Sequence, residues 1–205
     1  MPRTSRGMTR SVSNRTDSTP DPARSFADWL ETQGLAREAD AVRAMAARSP
    51  LGASVELAGP VGERNVYSLR PRRAIAALAE TTSGAAIQLG AILAAGSTAV
   101  VAEGGPAAAL AARLPQALAA RVVTAHAPAL APEIGLIMFE GGGDPLLALL
   151  AEVAERAGPI VLVEALSPGE IAAGAVYDVE RLLAERTVST NTAAAGGDAA
   201  LMTIG

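Results

Sequence analysis

The chain contains neither cysteine nor lysine among its 205 residues. Without cysteine it has no disulfides, no thiolate metal ligands and no cysteine nucleophile, which fits a reducing compartment, and we expect a cytoplasmic location. Without lysine, all 17 positively charged side chains are arginines. This excludes Schiff-base catalysis and the lysine of a phosphate-binding P-loop.

Long apolar runs and a strong charge of either sign are also missing. No run reaches the roughly 18 uncharged residues of a membrane-spanning helix, so we expect no membrane span. The net charge of -4 gives no reason to expect a nucleic-acid partner. Half of the residues are hydrophobic, so a chain of this length can bury one sizeable core and form one main domain with appendages.

The first segment, residues 1–24, is rich in Arg, Ser, Thr and Pro and has few apolar side chains. Such a composition cannot bury enough surface to fold, so it predicts a disordered leader. A transit peptide shares the Arg and Ser content, but this segment lacks a clear amphipathic pattern.

A helical docking segment is predicted over residues 25–48. Ser25 suits the N-cap position and Gly34 interrupts the pattern. The apolar side chains that recur roughly at helical spacing are predicted to be core or docking residues: Phe26, Trp29, Leu30, Val42 and Met45.

Residues 49–73 predict a β-hairpin or flap, because two β-prone runs at 54–57 and 65–69 flank a connection that contains Gly and Pro. After it, residues 74–169 alternate short apolar runs with alanine-rich segments, which is typical of βαβ units and a parallel sheet. Strands are predicted at residues 75–78, 99–102, 122–124, 134–139 and 160–163. Helices are predicted at residues 85–95, 106–120 and 145–157.

The fold class is therefore α/β, a Rossmann-like parallel sheet flanked by helices, with a β-hairpin or flap and an extended C-terminal tail. The last segment, residues 170–205, is predicted to hold a short helix at 179–184 and then the tail. From Arg186 onward the alternation of Ser and Thr suits an edge strand or flap.

A glycine-rich turn offers a weak candidate for cofactor binding, at Gly141, Gly142 and Gly143. Glycines between a strand and a helix let backbone amides approach a phosphate. Glu140 and Asp144, however, put two carboxylates where a pyrophosphate would bind. The alternative is an ordinary strand-to-helix turn with Asp144 as the N-cap.

Other polar residues form no recognisable site. His126, the only histidine, follows a predicted strand, but no nucleophile is paired with it and no triad can be argued. Glu164 lies at the end of a predicted strand. Its carboxylate is expected to be either buried as an acid or exposed to solvent. No His, Cys or carboxylate pair has metal-ligand spacing, so no metal is predicted.

The last twenty residues, RTVSTNTAAAGGDAALMTIG, closely resemble the C-terminal motif of the proline utilization A family, which are bifunctional proline dehydrogenases and glutamate semialdehyde dehydrogenases. Asp198 stands where the family motif usually has asparagine. The family uses FAD and NAD, and its members are far longer than this chain.

Three further segments resemble the aldehyde dehydrogenase superfamily. AAIQLGAILAAGSTAVVAEGGP resembles a helix and strand of its cofactor domain, but Ala102 and Glu103 follow the strand where that superfamily has a ribose-binding lysine. LIMFEGGGDP resembles its Phe-Thr-Gly-Ser turn, with Glu140 and Gly142 at the Thr and Ser positions. GPIVLVEALSPG resembles the strand that ends in its general-base glutamate, and that position falls on Leu166.

Together with the hairpin stretch GPVGERNVYSLRPR, these segments resemble a degenerate, non-catalytic aldehyde dehydrogenase copy near the C-terminus of longer family members. The resemblance implies no catalytic residues and no cofactor for this chain. It implies a domain that seals and stabilises the semialdehyde dehydrogenase site and the channelling cavity, with the catalytic core of a proline utilization A enzyme as partner, in cis or in trans. The predicted docking tail comprises Thr190, Asn191, Thr192, Ala193, Ala194, Ala195, Gly196 and Gly197.

Two alternatives stay open. One is a small NAD-binding protein of oxidoreductase type that uses the glycine-rich turn. The other is a folded gene-fragment remnant that has lost its partner.

Overall fold

The computed structural model describes residues 21–60 and 62–192. The chain divides into two compact units. The described part of the smaller unit comprises residues 52–60, 62–70 and 185–192, and that of the larger unit comprises residues 21–51 and 71–184.

The larger unit is built on a five-stranded parallel sheet, whose strands are β3 (Ala74–Leu78), β4 (Thr98–Ala102), β5 (Val122–Ala125), β6 (Ile134–Glu140) and β7 (Leu162–Leu166). Their order across the sheet is β5-β4-β3-β6-β7. The predicted α/β class and parallel sheet are thus confirmed. The last strand begins two residues later than predicted, because Pro159 offers no N–H to a strand ladder and Ile160 is exposed.

Helices connect the parallel strands. They are α3 (Thr82–Ala94), α4 (Pro106–Ala111), α5 (Gln116–Ala119), α6 (Gly143–Ala154) and α7 (Pro168–Ala172), with a 3₁₀ turn at Pro128–Leu130. Since β3 to β4 and β6 to β7 run in opposite directions across the sheet, right-handed crossovers place α3 and α6 on opposite faces.

Three helical predictions are corrected. The single helix predicted at 106–120 is two short helices, because Pro115 cannot continue the first one. Asp144 is not the N-cap of α6: the extended Gly142 is the N-cap, and Asp144 lies in the first turn. Helix α7 was not predicted, although its capping box, with Ser167 as N-cap and Glu170 three residues later, is visible in the sequence.

Two antiparallel helices precede the sheet, α1 (Pro22–Thr32) and α2 (Ala36–Arg48), and both pack on α3. The N-cap of α1 is Asp21 rather than Ser25, since Pro22 at the first helical position starts the helix before the predicted end of the leader at residue 24. Gly34, with φ of 77°, separates the two helices as predicted. The rest of the predicted leader lies outside the described residues.

The smaller unit contains a three-stranded sheet. Strands β1 (Ser54–Leu57) and β2 (Glu63–Pro71) form the predicted antiparallel hairpin. Strand β8 (Leu183–Asn191) begins where a helix at 179–184 was predicted, since only a 3₁₀ turn at Glu180–Leu182 forms there. From Glu185 to its end, β8 is exposed on both faces.

Candidate functional site

The sheet has one place where a ligand crevice is expected, the gap between β3 and β6. Strand order reverses there, since β4 and β5 lie on one side and β7 on the other. In open α/β sheets, ligands bind outside the carboxyl ends of the strands at such a switch point. The two chain segments that leave these ends are the turn into α3, at Glu80 and Thr81, and the glycine-rich turn into α6 that begins at Glu140.

The carboxylate of Glu140 occupies the crevice. The backbone N–H groups of Glu80 and Thr81 both donate to its Oε2 at 2.7 Å, and the hydroxyl of Thr81 donates to its Oε1 at 2.6 Å. The residue is only 2% exposed. A carboxylate bound by two amides at the start of a helix fills the role that a phosphate or another anion plays in ligand-binding folds.

Two residues, Thr81 and Gly84, accommodate this carboxylate. Thr81 is the N-cap of α3, and its Oγ1 accepts from the N–H of Gly84 at 2.9 Å while donating to Glu140. A Cβ atom on Gly84 would lie 1.8 Å from Oε2 of Glu140. Glycine is therefore required at position 84 by the presence of the glutamate.

A buried tyrosine and glutamine tie the same strand ends together. The hydroxyl of Tyr177 donates to the carbonyl of Phe139 at 3.0 Å and accepts from Nε2 of Gln88 at 3.1 Å. The same Nε2 lies 3.4 Å from the carbonyl oxygen of Leu78 at the end of β3. Burial raises the pKa of Tyr177 to about 12, so its hydroxyl stays protonated at neutral pH.

The predicted cofactor turn lies beside this closed crevice and faces outward. Gly142 and Gly143 are exposed, and the N–H of Gly141 donates to the carbonyl of Leu166 at 2.9 Å. Gly143 has φ of 56°, and a Cβ atom on Gly141 would lie 2.6 Å from the ring of Phe139. Turn geometry alone thus accounts for glycine at both positions, as in the ordinary strand-to-helix turn.

The remaining sequence candidates lie apart from the crevice. The side chain of His126 is 97% exposed, with Nδ1 3.9 Å from Oε2 of Glu103. Glu164 accepts from Nε of Arg181 at 2.8 Å, so it is an ion-pair partner rather than an isolated buried acid. Within residues 21–60 and 62–192, no group of three or more His, Asp or Glu side chains is placed to hold a metal ion.

A second concave feature was not foreseen from the sequence. A cavity of about 360 Å³ opens between the C-terminal end of α2 and the segment that precedes β8, and it carries charges of both signs. Its lining includes Met45, Arg48, Tyr177, Asp178 and Glu180. The two residues from α2 are more than 120 positions away from the other three in the chain, and no motif links the two groups.

The predicted docking tail is described in part. Thr190 and Asn191 end β8, and the N–H of Thr192 donates to the carbonyl of Gly62 at 2.7 Å. The predicted positions Ala193, Ala194, Ala195, Gly196 and Gly197 lie outside the described residues. No helix in the described part of the chain has the length and apolar character needed to cross a membrane.

No protein-family model matches the chain. It is 41% identical over 182 residues to the bifunctional protein PutA of Rhizobium meliloti, an alignment that covers 88% of this chain and 15% of the relative. It is 45% identical over 150 residues to the PutA of Salmonella typhimurium strain LT2, covering 73% of this chain and 11% of the relative. The chain thus spans less than a sixth of the length of either relative.

Solved structures show the same fold. A proline utilization A structure from Bradyrhizobium japonicum superposes with a TM-score of 0.55 at 20% identity, over 73% of this chain and 20% of that one. An aldehyde dehydrogenase from Pseudomonas aeruginosa superposes with a TM-score of 0.55 at 17% identity, over 71% of this chain and 37% of that one. The sheet and its helices therefore have the aldehyde dehydrogenase type of fold.

Proposed function

Because the chain belongs to the PutA family as the homologue of a segment of that bifunctional protein, we propose that it is a non-catalytic, aldehyde-dehydrogenase-like domain of a cytoplasmic proline-catabolic enzyme. Its partner is the catalytic core of such an enzyme, in cis or in trans. Its role is to seal and stabilise the semialdehyde dehydrogenase site and the cavity through which the semialdehyde passes.

The observation that carries this proposal is the carboxylate of Glu140 in the crevice. Its three hydrogen bonds use the amides of Glu80 and Thr81 and the hydroxyl of Thr81, the groups that would otherwise be free to bind an anion. A nucleotide phosphate at this position would have to displace a buried negative charge, and the two charges would repel each other. The crevice supports packing rather than cofactor binding.

The residues needed for aldehyde oxidation also support a non-catalytic role. That reaction uses a thiolate to attack the aldehyde, a base, and a nicotinamide that accepts hydride. The sequence has no cysteine to supply the thiolate. Leu166, at the position that resembles the general base, has an apolar side chain and ends β7.

A sealing role is supported by the exposed strand β8. Among the described residues β2 is the one strand hydrogen-bonded to β8, and β8 is exposed on both faces from Glu185 onward. An exposed edge can add to a strand of another protein through main-chain hydrogen bonds, without any catalytic side chain. A lid built in this way excludes water and retains a reactive intermediate.

The test is a reconstitution with a proline utilization A enzyme that lacks the segment homologous to this chain. NADH formation from proline is followed with the unchanged chain, with a chain that lacks residues 186–205, and with a His126→Ala control. We expect the unchanged chain and the control to shorten the lag before steady-state NADH formation, and the deletion variant to lose this effect. An unchanged lag on deletion would refute the sealing role.

The glycine-rich turn of Gly141, Gly142 and Gly143, in which Gly142 and Gly143 are exposed, is the feature behind a second candidate, a small NAD-binding protein of oxidoreductase type. It predicts saturable NAD binding at micromolar to sub-millimolar concentrations, the usual range for enzyme ligands. Absence of binding at millimolar NAD in a calorimetric titration would eliminate it. A folded remnant without a partner predicts neither NAD binding nor an effect on the lag.

A further inference from the structure

The cavity between the C-terminal end of α2 and the segment before β8 has the size of a small-molecule site. Its volume of about 360 Å³ lies at the lower end of the range of about 300–1,000 Å³ for ligand pockets. All eight lining residues belong to the larger unit. Met45, Tyr177 and Val179 among them are buried, and Pro50 and Val176 are partly buried. The cavity therefore offers apolar surface to a ligand.

Charges of opposite sign line the same cavity without meeting. Arg48 lines it from the last turn of α2, and Asp178 and Glu180 line it from the segment before β8. All three side chains are exposed. Within the described residues, the guanidinium of Arg48 forms no ion pair with either carboxylate. A ligand that carries both an anionic and a cationic group can bridge this gap with charge-assisted hydrogen bonds.

Hydrogen bonds hold the charged groups of the cavity in place. Nε of Arg48 donates to the carbonyl of Ala44 at 3.2 Å, and its two terminal nitrogens bond to no described residue, so they are available to a carboxylate. Oδ1 of Asp178 accepts from the N–H of Glu180 at 3.0 Å. The adjacent Tyr177 is fixed by two hydrogen bonds of its hydroxyl. Groups that are fixed before a ligand arrives lose less freedom when it binds.

The combination of charges decides which class of ligand fits. A cation at the end of a helix also stabilises the helix dipole, which explains Arg48 but not the two carboxylates that share its cavity. A purely anionic ligand would be repelled by these carboxylates, and a purely cationic one would be repelled by the guanidinium. A zwitterion has a partner for each charge. Among small zwitterions, an amino acid with an apolar side chain also matches the apolar surface.

We propose that this cavity binds a free α-amino acid with an apolar side chain. The carboxylate of the ligand pairs with Arg48, and its ammonium group pairs with Asp178 and Glu180. Its side chain contacts Met45 and Val176. This inference goes beyond the proposed function and does not depend on it, because such a site needs no protein partner.

The test is a calorimetric titration of the full chain with L-leucine and with two analogues of similar shape. Isoamylamine lacks the carboxylate, and isocaproate lacks the ammonium group. We expect saturable binding of leucine at millimolar concentrations or below. Each analogue should bind about tenfold more weakly or worse, because a hydrogen bond between charged groups contributes at least that factor to affinity.

Two variants assign the binding to the cavity. Arg48→Gln, and Asp178→Asn combined with Glu180→Gln, should each weaken leucine binding about tenfold. In Arg48→Gln the ligand carboxylate has lost its partner, so leucine and isoamylamine should differ by less than about threefold. The matched controls are Arg121→Gln and Glu152→Gln, which neutralise exposed charges that do not line the cavity. Circular dichroism verifies that each variant is folded.

Three results would overturn the inference. Isoamylamine that binds the unchanged chain as tightly as leucine would assign a cation site instead. Leucine binding that the cavity variants and the controls change equally would place the site elsewhere. Absence of saturable binding at millimolar leucine would leave the cavity without this ligand. None of these results affects the proposed function, because the lag in NADH formation is measured without added leucine.

Discussion

The close packing of Gly84 against the carboxylate of Glu140 predicts an energetic coupling between the two positions, which a double-mutant cycle can measure. Glu140→Ala leaves the amides of Glu80 and Thr81 and the hydroxyl of Thr81 without their acceptor. Unpaired buried groups cost about 1–3 kcal/mol each, and loss of one partner in a buried charged network costs about 3–5 kcal/mol. We expect Glu140→Ala to lower the free energy of unfolding by about 3 kcal/mol.

Gly84→Ala is expected to be destabilising although it introduces alanine into a helix. Helix propensity alone favours alanine by about 1 kcal/mol. The new Cβ atom would, however, lie 1.8 Å from the carboxylate oxygen and 2.2 Å from the carboxylate carbon of Glu140. Overpacking of this kind costs about 1–3 kcal/mol, so a net loss of about 1–2 kcal/mol is expected.

The two losses should not add. In the Glu140→Ala background the methyl group introduced at position 84 enters space that the carboxylate has vacated, so the second substitution becomes neutral or stabilising. Residues in contact typically show coupling energies of about 0.5–3 kcal/mol. We expect a coupling of about 2 kcal/mol, measured by urea unfolding of the full chain followed by circular dichroism.

Two controls calibrate this cycle. Gly169→Ala changes a glycine in helix α7 whose Cβ atom would meet nothing closer than 4.0 Å, so it should be neutral or slightly stabilising. Glu152→Ala removes an exposed carboxylate from α6 and should change stability by less than about 0.5 kcal/mol. Additive energies for Gly84→Ala and Glu140→Ala, with a coupling below about 0.5 kcal/mol, would refute the packing argument.

The remaining predictions concern one buried and one exposed group. Because the pKa of Tyr177 is raised from 10 to about 12 in the folded state, its stabilising contribution is present below pH 10 and is lost as the pH rises to 12, a change of about 2–3 kcal/mol. Unfolding measured at pH 9 and 11 should therefore show about half of this loss in the wild type and none of it in Tyr177→Phe. Arg43, which pairs on the surface with Asp28 and Glu31, should contribute less than about 1 kcal/mol, and the effect of Arg43→Ala should shrink in high salt. A larger loss of unfolding free energy that does not change with salt would contradict the assignment of Arg43 to weak surface ion pairs.

Much of the larger unit could be predicted because its strands are short apolar runs bounded by glycine and proline. The run at 134–139 and the strand Ile134–Glu140 differ by one residue, since a strand buried on both faces needs an uninterrupted apolar sequence. Pro106 and Gly96 indicate a helix start and a helix stop, and α4 starts at Pro106 while Gly96, with φ of 71°, follows α3.

The closure of the crevice could not be predicted, because it depends on pairs that are distant in the sequence. Glu140 meets Thr81 across 59 positions, and Tyr177 meets Gln88 across 89 positions. Periodicity reports which face of an element is apolar, and it carries no information on which polar side chain crosses to another element. The sequence did hold one signal, a glutamate at the end of a fully apolar strand, where a carboxylate must find buried donors.

The closed crevice also has a thermodynamic consequence that separates a structural domain from a nucleotide-binding one. A domain that binds an external anion gains stability only in proportion to the ligand concentration relative to its Kd. Glu140 supplies the anion within the chain, so the amides of Glu80 and Thr81 are satisfied at any ligand concentration. The fold then stands without nucleotide, and its stability should not rise when NAD is added. In such a domain the parallel sheet and its helices keep their structure without a bound nucleotide, as a purely structural role requires.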